Sequence, residues 1–189
     1  KIADRLLNKF PVSMEGVAVV LPSKRAVVFL KHYLSQKIKQ PIFLPDFYSI
    51  EEFTEKLSGL TVLDNISLQF KLYQSYLTFP PKKIDSFDDF LSWSNVLLHD
   101  FNEIDRNLVD AKSIYTNLKN VKELEDWSVD NWSLAEDKLS DMQLDYISFF
   151  EGMLSWYTHF NDSLLKEHLA YQGMAYKFAA KNISTAQVK

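Results

Sequence analysis

The chain contains no cysteine, which excludes disulfides, iron–sulfur ligation and cysteine-based zinc sites together. Glycine is almost as scarce, with 4 in 189 residues against a usual share of roughly 7%. Few positions can therefore take a left-handed backbone or let a ligand approach the main chain closely. Neither Gly-x-x-x-x-Gly-Lys-Ser/Thr nor Gly-x-Gly-x-x-Gly occurs, so neither common phosphate cradle is encoded and no cofactor is expected. No apolar run approaches the roughly 18 residues of a membrane span, and no basic-then-apolar leader opens the chain. A cytoplasmic protein with no membrane contact is the expectation. A net charge of -4 argues against a surface that coats nucleic acid everywhere, although a local basic patch can sit on an acidic domain.

What is present is 47% hydrophobic residues, enough to bury a substantial core. The most informative stretch is Val17-Ala-Val-Val-Leu-Pro-Ser-Lys-Arg-Ala-Val-Val-Phe-Leu-Lys-His-Tyr-Leu34. Val17 to Leu21 is a short apolar, β-branched run that predicts a strand covered on both faces. Pro22 stops the pairing, and Ser23 can cap a helix in which Ala26, Phe29, Leu30, Tyr33 and Leu34 are expected to turn inward. Lys24 and Arg25 then fall beside the positive end of the helix dipole, which is unfavourable unless an anion such as a phosphate takes charge from all three. The plainer alternative is that both are solvated residues of a first turn.

Upstream, Ile2 to Phe10 reads as a short helix closed by Pro11. Downstream, Pro41-Ile-Phe-Leu-Pro45 predicts a second brief strand, followed by an Asp46–Ser49 loop. Ser49-Ile-Glu-Glu52 is a capping box opening a helix that ends at Gly59. Further helices are expected from Asp64 or Asn65 to Phe79, from Ser86 to Ile104, from Leu108 to Leu118, and from a second capping box at Ser140 to about Leu169. In the last of these, Tyr146, Phe150, Met153, Tyr157, Phe160 and Leu164 form a packing seam. Glu123 to Trp132 reads as loop or broken helix, and Ser133-Leu-Ala-Glu136 as one more capping box. The fold class is therefore α/β but predominantly helical: a small parallel sheet with a strand-helix-strand unit over 1–63, a helical subdomain over 64–170, and a return toward the α/β part over 171–189. The chain opens on Lys1 and closes on Ile183-Ser-Thr-Ala-Gln-Val-Lys189 without a stop signal, so a piece of a longer protein is expected.

These segments resemble the AddB-like subunits of bacterial ATP-dependent helicase–nuclease complexes, also described as inactivated superfamily I helicases. In that family a strand ends in Leu-Pro-x-(Lys/Arg)-Arg-Ala and runs into a helix with Phe-Leu-x-x-x-Leu, met here by Leu21-Pro-Ser-Lys-Arg-Ala26 and Phe29-Leu-Lys-His-Tyr-Leu-Ser35. A second Leu-Pro followed by a Ser/Thr-Ile-x-x-Phe helix start is met by Leu44-Pro45 and Ser49-Ile-Glu-Glu-Phe53, and Leu97-Leu-His-Asp-Phe-Asn-Glu-Ile-Asp105 resembles a Leu-Leu-x-Asp-Phe-x-x-Ile-Asp stretch. The likeness covers roughly residues 1 to 180. It implies the N-terminal part of a larger protein with a PD-(D/E)XK exonuclease at its far end, none of which is here. It also implies a helical subdomain inserted into a helicase-like domain, a helicase–nuclease partner subunit, and a role in DNA repair and recombination. The chain departs from active helicases ahead of Val17, where Val12-Ser-Met-Glu-Gly16 is no phosphate loop, so this segment is expected to be no enzyme.

The residues expected to touch single-stranded DNA are Ser23, Lys24 and Arg25 for phosphate, with Phe47, Tyr48 and Ser49 at the second turn. Phe47 and Tyr48 can stack a base, or Phe47 can simply be buried. Asp100, Glu103 and Asp105 read as a solvated acidic face rather than a magnesium site, and the four histidines lack metal-ligand spacing. Lys82 and Lys83 can touch a phosphate backbone or merely tip a loop. The alternative function is a helical interaction scaffold that docks a partner and touches no DNA.

Overall fold

The computed structural model describes residues 1–117 and 141–183, with the side chains of 141–148, 150 and 151 left aside. The chain divides into two compact units: Lys1–Gly59 with the chain from Phe178, and Leu60–Lys177. It is predominantly helical with small parallel sheets.

In the first unit the order is α1 (Ile2–Lys9), β1 (Ala18–Leu21), α2 (Lys24–Lys37), β2 (Asp46–Ser49) and α3 (Ile50–Ser58). The strands pair in parallel, Ala18 opposite Asp46 and Leu21 opposite Ser49. Parallel pairing requires a crossover, and α2 supplies it. Ala3, Leu21, Val27, Leu30 and Leu34 form the core, with Leu6, Leu7, Val19, Ala26, Ile38 and Phe47 packed against it. The chain after Phe178 joins this unit through Asn182, whose side-chain amide donates to the Leu57 carbonyl at 3.4 Å.

Three expectations for this unit are corrected. The second strand is Asp46–Ser49, not Pro41–Pro45. Pro41 and Pro45 have no N–H to give a ladder; the stretch between them is irregular, and the pairing starts where Asp46 N donates to Val17 O at 2.9 Å. β1 is not covered on both faces, since Val20 is 39% exposed and the sheet has only two strands among the described residues. The inward stripe of α2 is Val27, Leu30 and Leu34, whereas Phe29 and Tyr33 face outward.

The second unit is built from β3 (Thr61–Val62), α4 (Asn65–Thr78), α5 (Phe87–Arg106), α6 (described over residues 111–117), α7 (Asp141–Lys166), β4 (Leu169–Ala170) and the start of α8 (Gln172–Asn182). Side chains close most helix starts: Asp64 accepts from Ser67 N, Ser86 from Asp89 N, and Asp110 from Ser113 N. Each such cap is worth about 1 kcal/mol. α7 stops at Lys166, short of the expected Leu169. His168 takes a left-handed backbone (φ 57°) and its carbonyl accepts from Thr61 N, so Leu169–Ala170 pairs in parallel with Thr61–Val62. α7 buries Trp156, Tyr157, Phe160 and Leu164. The expected contributions of Tyr146 and Phe150, the Glu123–Trp132 segment, both Ser133 and Ser140 boxes and Leu118 lie outside the described residues.

At the centre of this unit Asp105 is fully buried, contrary to the solvated acidic face expected of it. Tyr157 donates to Oδ1 at 2.5 Å, Tyr171 donates to Oδ2, and the Lys177 ammonium donates to Oδ1 at 2.7 Å. A bare buried carboxylate would be strongly unfavourable; three donors offset that cost. Gly173 is required nearby for a second reason. Its N–H donates to Asn102 Oδ1 at 2.7 Å, and a Cβ there would sit 2.1 Å from the Asn102 carbonyl oxygen.

Burial, reinforced by the Asp105 charge, pushes the Tyr157 and Tyr171 phenols upward from 10.0. The folded chain therefore holds them neutral, a contribution present below pH 10.0 and lost as rising pH ionises the same phenols in the unfolded chain. Urea midpoints should fall steeply above about pH 10. Asp105→Ala should destabilise the chain by about 3–5 kcal/mol in urea unfolding, because it strands a lysine and two phenols, while exposed Asp100→Ala changes stability by less than about 0.5 kcal/mol.

Candidate nucleic-acid interface

The parallel register brings the carboxyl ends of β1 and β2 side by side, and each strand leads into a helix capped by a serine. Ser23 is extended (φ -156°, ψ 159°), and its hydroxyl accepts from Ala26 N at 3.3 Å. Ser49 accepts from Glu52 N at 3.2 Å, and its own N–H donates to Glu52 Oε2 at 2.9 Å, completing the capping box. In an open sheet with helical crossovers, ligands collect beyond the carboxyl ends of the strands, and helix N-termini there favour anions.

Glu52 joins the two helix starts. Its Oε1 lies 3.3 Å from the Lys24 ammonium. The Ser49 N–H, and after it Lys24, hold the Glu52 carboxyl below the ordinary glutamate value of 4.5. The anion that a cation pair at a helix N-terminus calls for is thus partly supplied from within, by a residue whose role in the capping box hid its second partner. Arg25 is exposed and makes no ion pair among the described residues. Of the expected phosphate contacts, Ser23, Lys24 and Arg25 are all exposed at this edge. Ser49 sits at the same edge but is fully buried, with its hydroxyl committed to the cap.

Phe47 and Tyr48 are not loop aromatics, because they lie within β2, where neighbours point to opposite faces. Phe47 packs against the core with the Lys31 ammonium 5.2 Å from its ring centre. Tyr48 turns toward α3, with its ring 5.8 Å from that of Phe53 and its hydroxyl accepting from Lys56 at 2.5 Å. That hydroxyl also raises the lysine's affinity for its proton. The two rings are half-buried and form no common stacking surface. Lys31 and Lys56 are residues that sequence reasoning missed, and nothing in their spacing marks the rings they cover.

Elsewhere the chemistry is sparse. Among the described residues no group of three or more His, Asp or Glu side chains could hold a metal. His159 Nδ1 lies 3.0 Å from Ser75 Oγ, but that hydroxyl is fully buried inside the bundle, out of reach of a substrate. The chain matches no family model, and neither the curated proteins nor the solved structures include a significant match to it.

Ser49→Ala should lower stability by about 1 kcal/mol in urea unfolding at pH 7. Because the folded Glu52 carboxyl titrates below 4.5, its contribution is present above that pH and lost as the pH falls through the folded value. Glu52→Gln should therefore flatten the decline in stability between about pH 5 and pH 3.

Proposed function

We propose that this chain is a non-catalytic, helicase-like module of the AddB-like kind, which holds single-stranded DNA for a nuclease carried elsewhere in a longer protein and its partner subunit. The reading rests above all on one arrangement: two parallel strands deliver two serine-capped helix starts to one edge, and that edge carries Lys24 and Arg25. Phosphate oxygens would accept from backbone N–H groups at the start of α2, from the Ser23 hydroxyl and from the Arg25 guanidinium. Phosphate contacts of this kind position a strand without reading its sequence. That no Gly-x-x-x-x-Gly-Lys-Ser/Thr segment occurs in these 189 residues supports reading the module as a holder rather than a motor. The cell compartment that goes with DNA repair and recombination in a bacterium is the cytoplasm.

The Lys24–Glu52 bridge makes the two cations unequal. Arg25→Ala should weaken binding of an oligo-dT strand more than Lys24→Ala, and should reduce the slope of log K against log salt by about 0.7, the value of one phosphate contact on a single strand. Fluorescence anisotropy at several salt concentrations measures both. Equal affinity in wild type and Arg25→Ala across the series would contradict the reading.

A second reading, docking of a partner protein by the helical unit, is favoured by α4. Besides the inner face with Leu68, Leu72 and Tyr76, this helix carries Ile66, Phe70 and Leu77 exposed. If α4 is a docking face, crosslinks to the partner subunit should involve residues 66–77 in the full complex and be lost in Ile66→Asp/Phe70→Asp.

A further inference from the structure

The side of α2 opposite its buried stripe is aromatic as well as charged. Phe29 is 57% and Tyr33 54% exposed. Helices with a one-sided core ordinarily turn polar groups outward, so two rings here need a reason. Arg25, Phe29 and Tyr33 follow one another at intervals of four residues and therefore share a face. Four residues rise roughly 6 Å along a helix, about twice the spacing of stacked bases along a duplex strand, so a stretched strand can lay successive bases on the two rings. The Tyr33 ring is propped by His32, edge-on at 6.0 Å between centroids, and the His32 Nε2 lies 3.0 Å from the Gln36 side-chain nitrogen.

Charge indicates what occupies this face. Residues 16–45 contain Lys24, Arg25, Lys31, Lys37 and Lys39 and no aspartate or glutamate, in a chain whose acidic residues outnumber its basic ones 25 to 21. Lys24 and Lys37 are bridged to Glu52 and Asp4, yet the segment as a whole keeps a positive balance that suits a polyanion. We propose that the outer face of α2, centred on Phe29 and Tyr33, is the platform on which the bases of a single-stranded nucleic acid stack while its phosphates follow the cations of the same segment. This inference rests on the preceding reading that the chain binds single-stranded DNA, and it moves the base contacts from the covered rings of Phe47 and Tyr48 to open ones. Sequence-tolerant affinity follows, because every base has a face to stack.

The test compares oligo-dT with an abasic strand of equal length, by anisotropy on the full chain, for wild type, Phe29→Ala/Tyr33→Ala, Phe29→Trp and Arg25→Ala. Both rings are exposed, and far-ultraviolet circular dichroism checks that the variants keep their helix content. The double alanine variant should bind oligo-dT about ten-fold more weakly per ring removed. Its salt slope should be unchanged, and its affinity for the abasic strand should equal that of wild type. Phe29→Trp should keep a stacking face, and the tryptophan emission it adds over that of wild type should be quenched by oligo-dT and not by the abasic strand. Wild-type affinity in the double variant, alongside weakened binding in Arg25→Ala, would overturn the stacking inference and leave the phosphate reading intact. Failure of the wild type to bind either strand would overturn both. A double variant that alters only self-association in sedimentation, with DNA affinity unchanged, would mark the face as a protein interface and overturn the inference.

Discussion

The parallel pairing of two four-residue strands is the constraint on which the rest of the first unit depends. An antiparallel pair would send the following helices off opposite ends; a parallel pair in the register Leu21 to Ser49 sends both off the same end. Ser23 and Ser49 then become neighbours in space and Glu52 falls within reach of Lys24. The crossover helix must also cover the strands, which commits Val27, Leu30 and Leu34 to the core and turns Phe29 and Tyr33 outward. One backbone register thus sets the geometry of the basic turn and of the aromatic face behind it.

The helical unit is organised around a charge rather than around apolar contacts alone. Asp105 ties α5 to α7 and α8 by accepting from Tyr157, Tyr171 and Lys177. Removing water from such a carboxylate costs several kcal/mol, so the arrangement holds only with every donor in place. Its value lies in direction: a greasy seam tolerates sliding, whereas four polar groups meet in one geometry. Trp156, the residue before Tyr157 on α7, does something similar toward α4, donating to the Phe79 carbonyl at 2.8 Å where α4 ends and an orphan acceptor needs a partner.

How much of this is legible in the sequence follows from how local each signal is. Caps at Ser23, Ser49, Asp64 and Ser86 can be read directly, because a cap is decided by residues three positions apart. The strand-helix-strand unit can be read as well, but the position of its second strand cannot: Pro41-Ile-Phe-Leu-Pro45 has the apolar run, whereas Asp46–Ser49 has the free N–H groups, and pairing obeys the latter. The orientation of α2 was ambiguous because Ala26, Phe29 and Tyr33 and Val27, Leu30 and Leu34 both recur at helical spacing. Only packing against β1 and β2 decides between them. Asp105 was illegible as a buried group, since its three donors come from 52, 66 and 72 residues further along the chain. Of the candidate site, the basic turn was readable from Pro22-Ser23-Lys24-Arg25, while the Glu52 bridge and the lysines over Phe47 and Tyr48 depend on a register that no local pattern states.

Amide chemical shifts of isotope-labelled protein titrated with oligo-dT report, residue by residue, whether the shared edge of the two capped helices receives the strand. The largest, saturable shifts should fall on Ser23 to Ala26 and continue along the outer face of α2, with the Asp105 cluster unmoved. Shifts confined to the helical unit, or none at saturating DNA, would contradict it.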